Sequence, residues 1–257
     1  MERLPPLLLA LALAPALAAA SGPVPGYRSI DGGPFHSSVR FEDGNGQVRV
    51  APYQLMERPV SNAQFAAFVA AHPQWRRDRI PAVFASPGYL GHWAQADAAG
   101  NAADADAPVV QVNWFAADAY CRAAGARLPS FVEWEFAAAA DHDRRDARGD
   151  HRWRLRQIDD GTPRALDAGT DAVANAWGIH GLHGAYWEWS GDFASLLGDG
   201  DRRGQDDGNA LRFCGATALA FNDPADYAVV KRFVLLSALQ PGSTLGNLGF
   251  RCARSQP

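Results

Sequence analysis

The chain has 257 residues, 47% of them hydrophobic and 20% charged, and a formal charge of -4. That is ordinary globular material, long enough to bury a substantial core, with neither the composition of a disordered chain nor that of a small disulfide scaffold. The mild acidity gives no general electrostatic basis for binding nucleic acid or anionic lipid, and the arginines of residues 152–156 are followed by Asp159 and Asp160, as on a solvated face.

At the N-terminus Arg3 precedes an apolar run over residues 7–13, followed by Ala16-Leu17-Ala18 and Ala18-Ala19-Ala20. This is the pattern of a secretory signal peptide over residues 1–20, with cleavage after Ala18 or Ala20. The apolar run is too short to span a bilayer and is interrupted at Pro15, so the expected mature chain is soluble, without a membrane span, and periplasmic or secreted. Export permits disulfides, and three cysteines allow one bridge with one thiol left over.

Residues 29–35 read as a strand running into a glycine turn, and residues 48–53 as a second strand. Ser61 can cap a helix with Phe65, Phe68 and Val69 on one face. Residues 74–106 have no sustained period and read as a long irregular connection. Residues 108–112 form a buried-strand pattern before a helix capped by Asn113 that carries Trp114, Ala117, Tyr120 and Cys121 and stops at Gly125. Ser130 followed by Glu133 is a capping box that opens a second helix through Trp134 and Phe136. Residues 141–171 read as charged and irregular, and the remainder as short apolar segments without helical period. Two helices among short strands and long loops, with no internal repeat or linker, give one domain over residues 27–254.

Several motifs in this order resemble the formylglycine-generating enzyme, or sulfatase-modifying factor, family. They are Asp31-Gly32-Gly33-Pro34-Phe35, Pro59-Val60-Ser61-Asn62-Ala63-Gln64-Phe65 and Pro108-Val109-Val110-Gln111-Val112-Asn113-Trp114 with Ala119-Tyr120-Cys121. The others are Arg127-Leu128-Pro129-Ser130-Phe131-Val132-Glu133-Trp134-Glu135, residues 178–189 ending in Trp187-Glu188-Trp189, and Asn247-Leu248-Gly249-Phe250-Arg251-Cys252. The resemblance implies an α+β, loop-rich fold related to C-type lectins, and a disulfide between Cys121 and Cys252. Residues 84–93, the stretch Phe213-Cys214-Gly215-Ala216, Asp226-Tyr227 and Lys231-Arg232-Phe233 look like the exported, nitrite-reductase-associated (NirV-type) branch.

Catalytic members hold copper with two cysteines five positions apart, a soft ligand pair suited to Cu(I). Counting back from Cys252 places those positions at Asp223 and Ala228, and no cysteine lies between Cys214 and Cys252. Formylglycine formation by that route is therefore not expected. Cys214 supplies one sulfur, which with His180 or His183 is a weak candidate for copper. Of the seven histidines only His180 and His183 lie close in sequence, and turn histidines are ordinarily surface polar residues. Calcium at Glu188 is a further candidate, weakened because Ala185 stands where the family has asparagine and the acidic loop is reduced to residues 167–171. The acidic, glycine-containing stretch with Asp199, Asp201, Asp206 and Asp207 reads as a solvated loop. Trp114, Trp134, Trp187 and Trp189 are expected in the core, while Trp75, Trp93, Trp153 and Trp177 either line a groove or pack in satellite clusters. Arg127 and Arg251 sit in apolar motifs and need carboxylate partners, for which Glu133, Glu135 and Glu188 are available.

Two functional expectations follow from the resemblance. One is an accessory or maturation factor for a periplasmic metalloenzyme such as copper nitrite reductase, acting on that enzyme or a peptide segment of it. The other is a periplasmic oxidoreductase acting on a peptide or siderophore-like substrate through a different metal site.

Overall fold

A computed structural model describes residues 26–39, 46–100, 104–160, 173–184, 186–193 and 226–256. The signal peptide, residues 167–171 and 199–207, Ala185, Cys214 and Asp223 lie outside the described residues.

Four short strands open the fold: β1 (Tyr27–Ile30), β2 (Gly33–His36), β3 (Gln47–Val50) and β4 (Tyr53–Met56). The strand expected over residues 48–53 is two, because Ala51 and Pro52 interrupt it and proline has no N–H to give a ladder. β2 and β3 pair as an antiparallel hairpin. The turn into β2 needs Gly32, whose φ is +67° and where a Cβ would lie 2.3 Å from the Val50 carbonyl oxygen. β1, β4 and β7 (Ala253–Ser255) form the three-stranded antiparallel sheet, so the first and last parts of the domain close on each other. β5 (Trp187–Glu188) pairs in parallel with β6 (Leu248–Gly249), which lies just before β7 in the chain. Gly249 permits this approach, since a Cβ there would meet the Val109 carbonyl oxygen at 2.4 Å.

Helix α1 (Asn62–Ala71) begins at Ser61, whose capping box with Gln64 satisfies two donors at the helix start. Its buried face brings Phe65 against Phe68, Trp93, Tyr120 and Phe250, an aromatic cluster spanning four parts of the chain. Helix α2 (Trp114–Ala123) is capped by Asn113 and ends before Gly125, which has φ +63°. Helix α3 (Phe131–Ala138) carries the Ser130–Glu133 capping box. The connection after α1 is irregular as expected, apart from a 3₁₀ turn at Pro73–Trp75.

Two further helices depart from the sequence reading. Helix α4 (His151–Asp160) lies in the segment read as irregular. Its start is fixed by Asp150, whose carboxylate accepts from the Arg152 and Trp153 N–H groups. Helix α5 (Tyr227–Ser237) lies in the remainder read as having no helical period. Its buried residues Val229, Arg232, Phe233 and Leu236 do follow an i, i+3, i+4, i+7 pattern, but one of the four is arginine, which breaks an apolar reading. Among the described residues no helix is long and apolar enough to cross a membrane.

Candidate functional site

The fold converges on Arg251 and Glu188, which are 0% and 1% exposed. Arg251 Nε lies 3.0 and 2.9 Å from the two carboxylate oxygens of Glu188, and Nη2 donates to Oε1 at 2.6 Å. The remaining donors reach the carbonyls of Met56 (3.1 Å), Glu57 (3.3 Å) and His180 (2.8 Å). A buried ion pair is tolerable only when its other hydrogen-bonding capacity is met in this way. Both Glu188 oxygens are thus committed to a guanidinium, which leaves a poor calcium ligand, since that ion wants six or more open oxygens. Arg127 is likewise clamped to Glu133, at 2.7 and 2.6 Å. Glu135, the third carboxylate considered for an arginine, takes serine partners instead. Ser37 Oγ donates to it at 2.5 Å and the Ser38 N–H at 2.6 Å.

Beside this centre is a small pocket of about 30 Å³. Helix α3 contributes Trp134, α4 contributes Gln157, and the turn before β5 contributes Leu182, His183 and Gly184. Tyr186 and Trp187 enter on the way into β5, while Tyr227, Ala228 and Lys231 come from the first turns of α5. Lys231 Nζ stands 5.5 Å from the centre of the Trp187 ring. The next residue of α5, Arg232, lies with its guanidinium carbon 3.9 Å from the centre of the Trp134 ring. Arg232 donates to the Glu188 carbonyl, but the described residues give it no ion pair and leave its Nε without an acceptor. Burial pulls its pKa down to about 9.

The two histidines are not brought to a common ligand set. His183 Nε2 is 2.6 Å from the Ala138 carbonyl, and the ring meets Trp134 and Trp153 edge-on. His180 instead has Nδ1 3.3 Å from an Arg58 guanidinium nitrogen, and its carbonyl serves Arg251. Among the described residues no three histidine, cysteine, aspartate or glutamate side chains are grouped to hold a metal. Cys121 and Cys252 are joined in a disulfide that ties α2 to the approach to β7. The position that counting back from Cys252 gave to a family cysteine, Ala228, presents a methyl group to the pocket. The described residues therefore do not fit a two-thiolate copper site.

Of the tryptophans, Trp93 donates to Asn62 Oδ1, Trp114 to the Ser190 carbonyl and Trp189 to the Val112 carbonyl. Trp153 is buried on α4, and Trp177 is buried with Arg145 over its ring. Sequence reasoning quoted Tyr227 and Lys231 only as marks of a family branch and passed over Gln157, because it missed the helices that bring them to the pocket. The spacing of Val229, Phe233 and Leu236 was the available signal for α5.

A model of the sulfatase-modifying factor enzyme 1-like domain matches residues 14–256. The chain belongs to that family. The formylglycine-generating enzyme of Streptomyces coelicolor is 31% identical, the match covering 93% of this chain and 94% of that protein. The mouse protein named inactive C-alpha-formylglycine-generating enzyme 2 is 27% identical over 98% of this chain and 93% of its own length. A hercynine oxygenase of Mycolicibacterium thermoresistibile is 32% identical over a shorter match, 56% of this chain and 36% of that protein. The sulfatase-modifying factor family thus includes members under both active and inactive names, and this chain's mixed helix and sheet structure is its version of the domain.

Proposed function

We propose that this family member is an exported binding protein, an accessory or maturation factor for a periplasmic metalloenzyme of the copper nitrite reductase kind. On this reading it belongs to the nitrite-reductase-associated branch, keeps the C-type-lectin-related topology, and uses the pocket beside Arg251 and Glu188 to receive a segment of its partner. The observation that carries the reading is the lack of any cysteine between Cys214 and Cys252: Ala228, a position reached by counting back from Cys252, lines the pocket, and the described cysteines are closed in a disulfide. A fold conserved without its reacting sulfurs retains a cavity and a rigid frame, which suit recognition. The related protein that bears an inactive name is consistent with such a role.

The test is a deletion strain grown with limiting copper. The expected result is a drop in the copper content and activity of the periplasmic reductase, restored by the wild-type gene, together with capture of the reductase by the tagged protein. Unchanged reductase copper in the deletion strain overturns the proposal.

The second reading, an oxidoreductase on a peptide or siderophore-like substrate with a different metal site, is favoured by the partial similarity to a hercynine oxygenase. It requires a stoichiometric transition metal in the purified protein and oxygen consumption with substrate. Cys214 remains a candidate ligand under either reading, and calcium a candidate structural ion.

A further inference from the structure

A second concavity, sharing no lining residue with the pocket beside Arg251, runs between the β2–β3 hairpin and the connection from α3 to α4. It is a groove of about 930 Å³, open to solvent and in the size range of clefts that hold ligands. Its described lining has three arginines, Arg49 from β3 and Arg145 and Arg148 from the connection, against one aspartate, Asp146. In a chain of net charge -4 that is a local reversal of sign.

The three cations are not equivalent. Arg148 is a fixed part of the wall, with its guanidinium carbon 4.1 Å from the centre of the Phe35 ring. It donates to Asp146 and to the His36 carbonyl at 2.6 to 3.0 Å, and the buried carboxylates Glu135 and Asp226 act on it as well. Arg145 lies 4.2 Å from the Trp177 ring centre and donates to Asp31 at 2.8 Å. The side chains of that pair are 61% and 67% exposed, so it is weak and open to exchange, and most of the Arg145 N–H groups are unspent. Arg49 is exposed and has no side-chain partner among the described residues; opposite it on β2 stands Pro34, which offers no carboxylate. Arg49 and Arg145 are thus the cations a ligand can engage, one on each side of the groove.

We propose that this groove docks an extended acidic peptide segment, with carboxylates meeting Arg49 and Arg145. Charge complementarity selects the acidic character. The apolar part of the lining selects a peptide over other polyanions: Pro34 is exposed and Val48 and Phe136 are half-buried, so a chain that alternates carboxylates with apolar side chains is matched on both counts. Polyphosphate and sulfated glycans match the arginines alone. The groove stands apart from the pocket of the maturation-factor reading, and neither requires the other.

The experiment titrates the mature protein with the capped peptide Glu-Leu-Glu-Phe-Glu-Leu, its glutamine counterpart, and tripolyphosphate. Binding is read by NMR at the Trp177 indole signal, assigned by Trp177→Phe, because Arg145 covers that ring and its capture moves the signal. The Trp134 signal, in the other pocket, is expected to stay in place. The acidic peptide should shift the Trp177 signal saturably and bind at least about fivefold more tightly than the glutamine peptide, the ratio that two exposed ion pairs support. The ratio should shrink as salt is raised. Arg49→Glu, on an exposed site, should keep the folded spectrum and weaken the acidic peptide about tenfold, since an attraction becomes a repulsion. Arg145→Gln should lower the same affinity by a smaller factor. No saturable shift, equal binding of the glutamine peptide, an unchanged affinity in Arg49→Glu, or tripolyphosphate binding as tightly as the acidic peptide overturns the proposal. Reductase copper content plays no part in these titrations, so their outcome is independent of the maturation test.

Discussion

Arg251 closes on Glu188 through three contacts of 2.6 to 3.0 Å, with both side chains out of water. This pair joins β5 to the segment before β7 and, through the Met56, Glu57 and His180 carbonyls, to the end of β4 and the turn at the pocket. Removing one partner strands a buried charge, so Arg251→Met and Glu188→Gln are each expected to lower unfolding free energy by about 3–5 kcal/mol. The double replacement Arg251→Met with Glu188→Leu should be less damaging than the sum of the single changes, because no lone charge remains. Urea unfolding of the four proteins measures this; additive losses would remove the electrostatic argument. Calcium should change the unfolding midpoint of the Glu188→Gln protein as much or as little as that of the parent.

The Cys121–Cys252 bridge closes a loop of 131 positions. Constraining so long a loop in the unfolded chain is worth typically about 2–4 kcal/mol. The double Cys121→Ala and Cys252→Ala variant should therefore unfold at lower urea concentration, and the parent with reductant should lose most of the same stability. Both halves of the bridge sit at full burial, so alanine also leaves a small cavity and makes the loss slightly larger.

Where the sequence supplied local chemistry, it located elements closely: Ser61, Asn113 and Ser130 mark the starts of α1, α2 and α3. The motifs around Arg127 and Arg251 also indicated arginines in need of carboxylates, and Glu133 and Glu188 supply them. The pocket was less legible. Its Tyr227, Ala228 and Lys231 belong to α5, where buried Arg232 disguises an apolar stripe, and its Gln157 to α4, whose apolar residues are only Trp153, Leu155 and Ile158. Nor could spacing reveal that Glu135 faces Ser37 and Ser38, since that contact joins positions 98 and 97 residues apart.

Glu135 gives the fold a pH dependence with a definite sign. Burial, and to a smaller degree Asp226, pushes its carboxyl from 4.5 up to about 7, against the opposing hydrogen bonds of Ser37 and Ser38. Because the folded state holds this proton more tightly, the contribution is fully present below about pH 4.5 and is lost as pH rises through about 7. Glu135→Gln removes the titration while keeping an acceptor and a donor for the two serines. Stability of the variant relative to the parent should rise by up to ~2–3 kcal/mol between mildly acidic and mildly alkaline pH. Urea midpoints across that range decide it: a difference that does not change with pH shows that Glu135 is not the group responsible.

The chemistry of the pocket sets the last expectation. Holding Cu(I) in the manner of the catalytic family members takes two soft sulfurs beside the substrate thiol. Here Ala228 faces the cavity, and the described cysteines are locked together across α2 and the chain's end. A Cys-x-Pro-x-Arg peptide incubated with the protein, copper and reductant should yield no aldehyde above a protein-free control, as read by mass spectrometry after hydrazine trapping. Cys214 is the one cysteine outside the bridge, and a single thiolate with an imidazole binds Cu(I) more weakly than a chelating pair. Cys214→Ser is accordingly expected to leave unfolding nearly unchanged while lowering copper retention and the copper content of the proposed partner reductase in cells. Full reductase activity in that strain under limiting copper would assign Cys214 to packing alone. Aldehyde formation by the parent protein would instead show that oxygen chemistry proceeds without the thiolate pair, and the maturation-factor reading would give way to an enzymatic one.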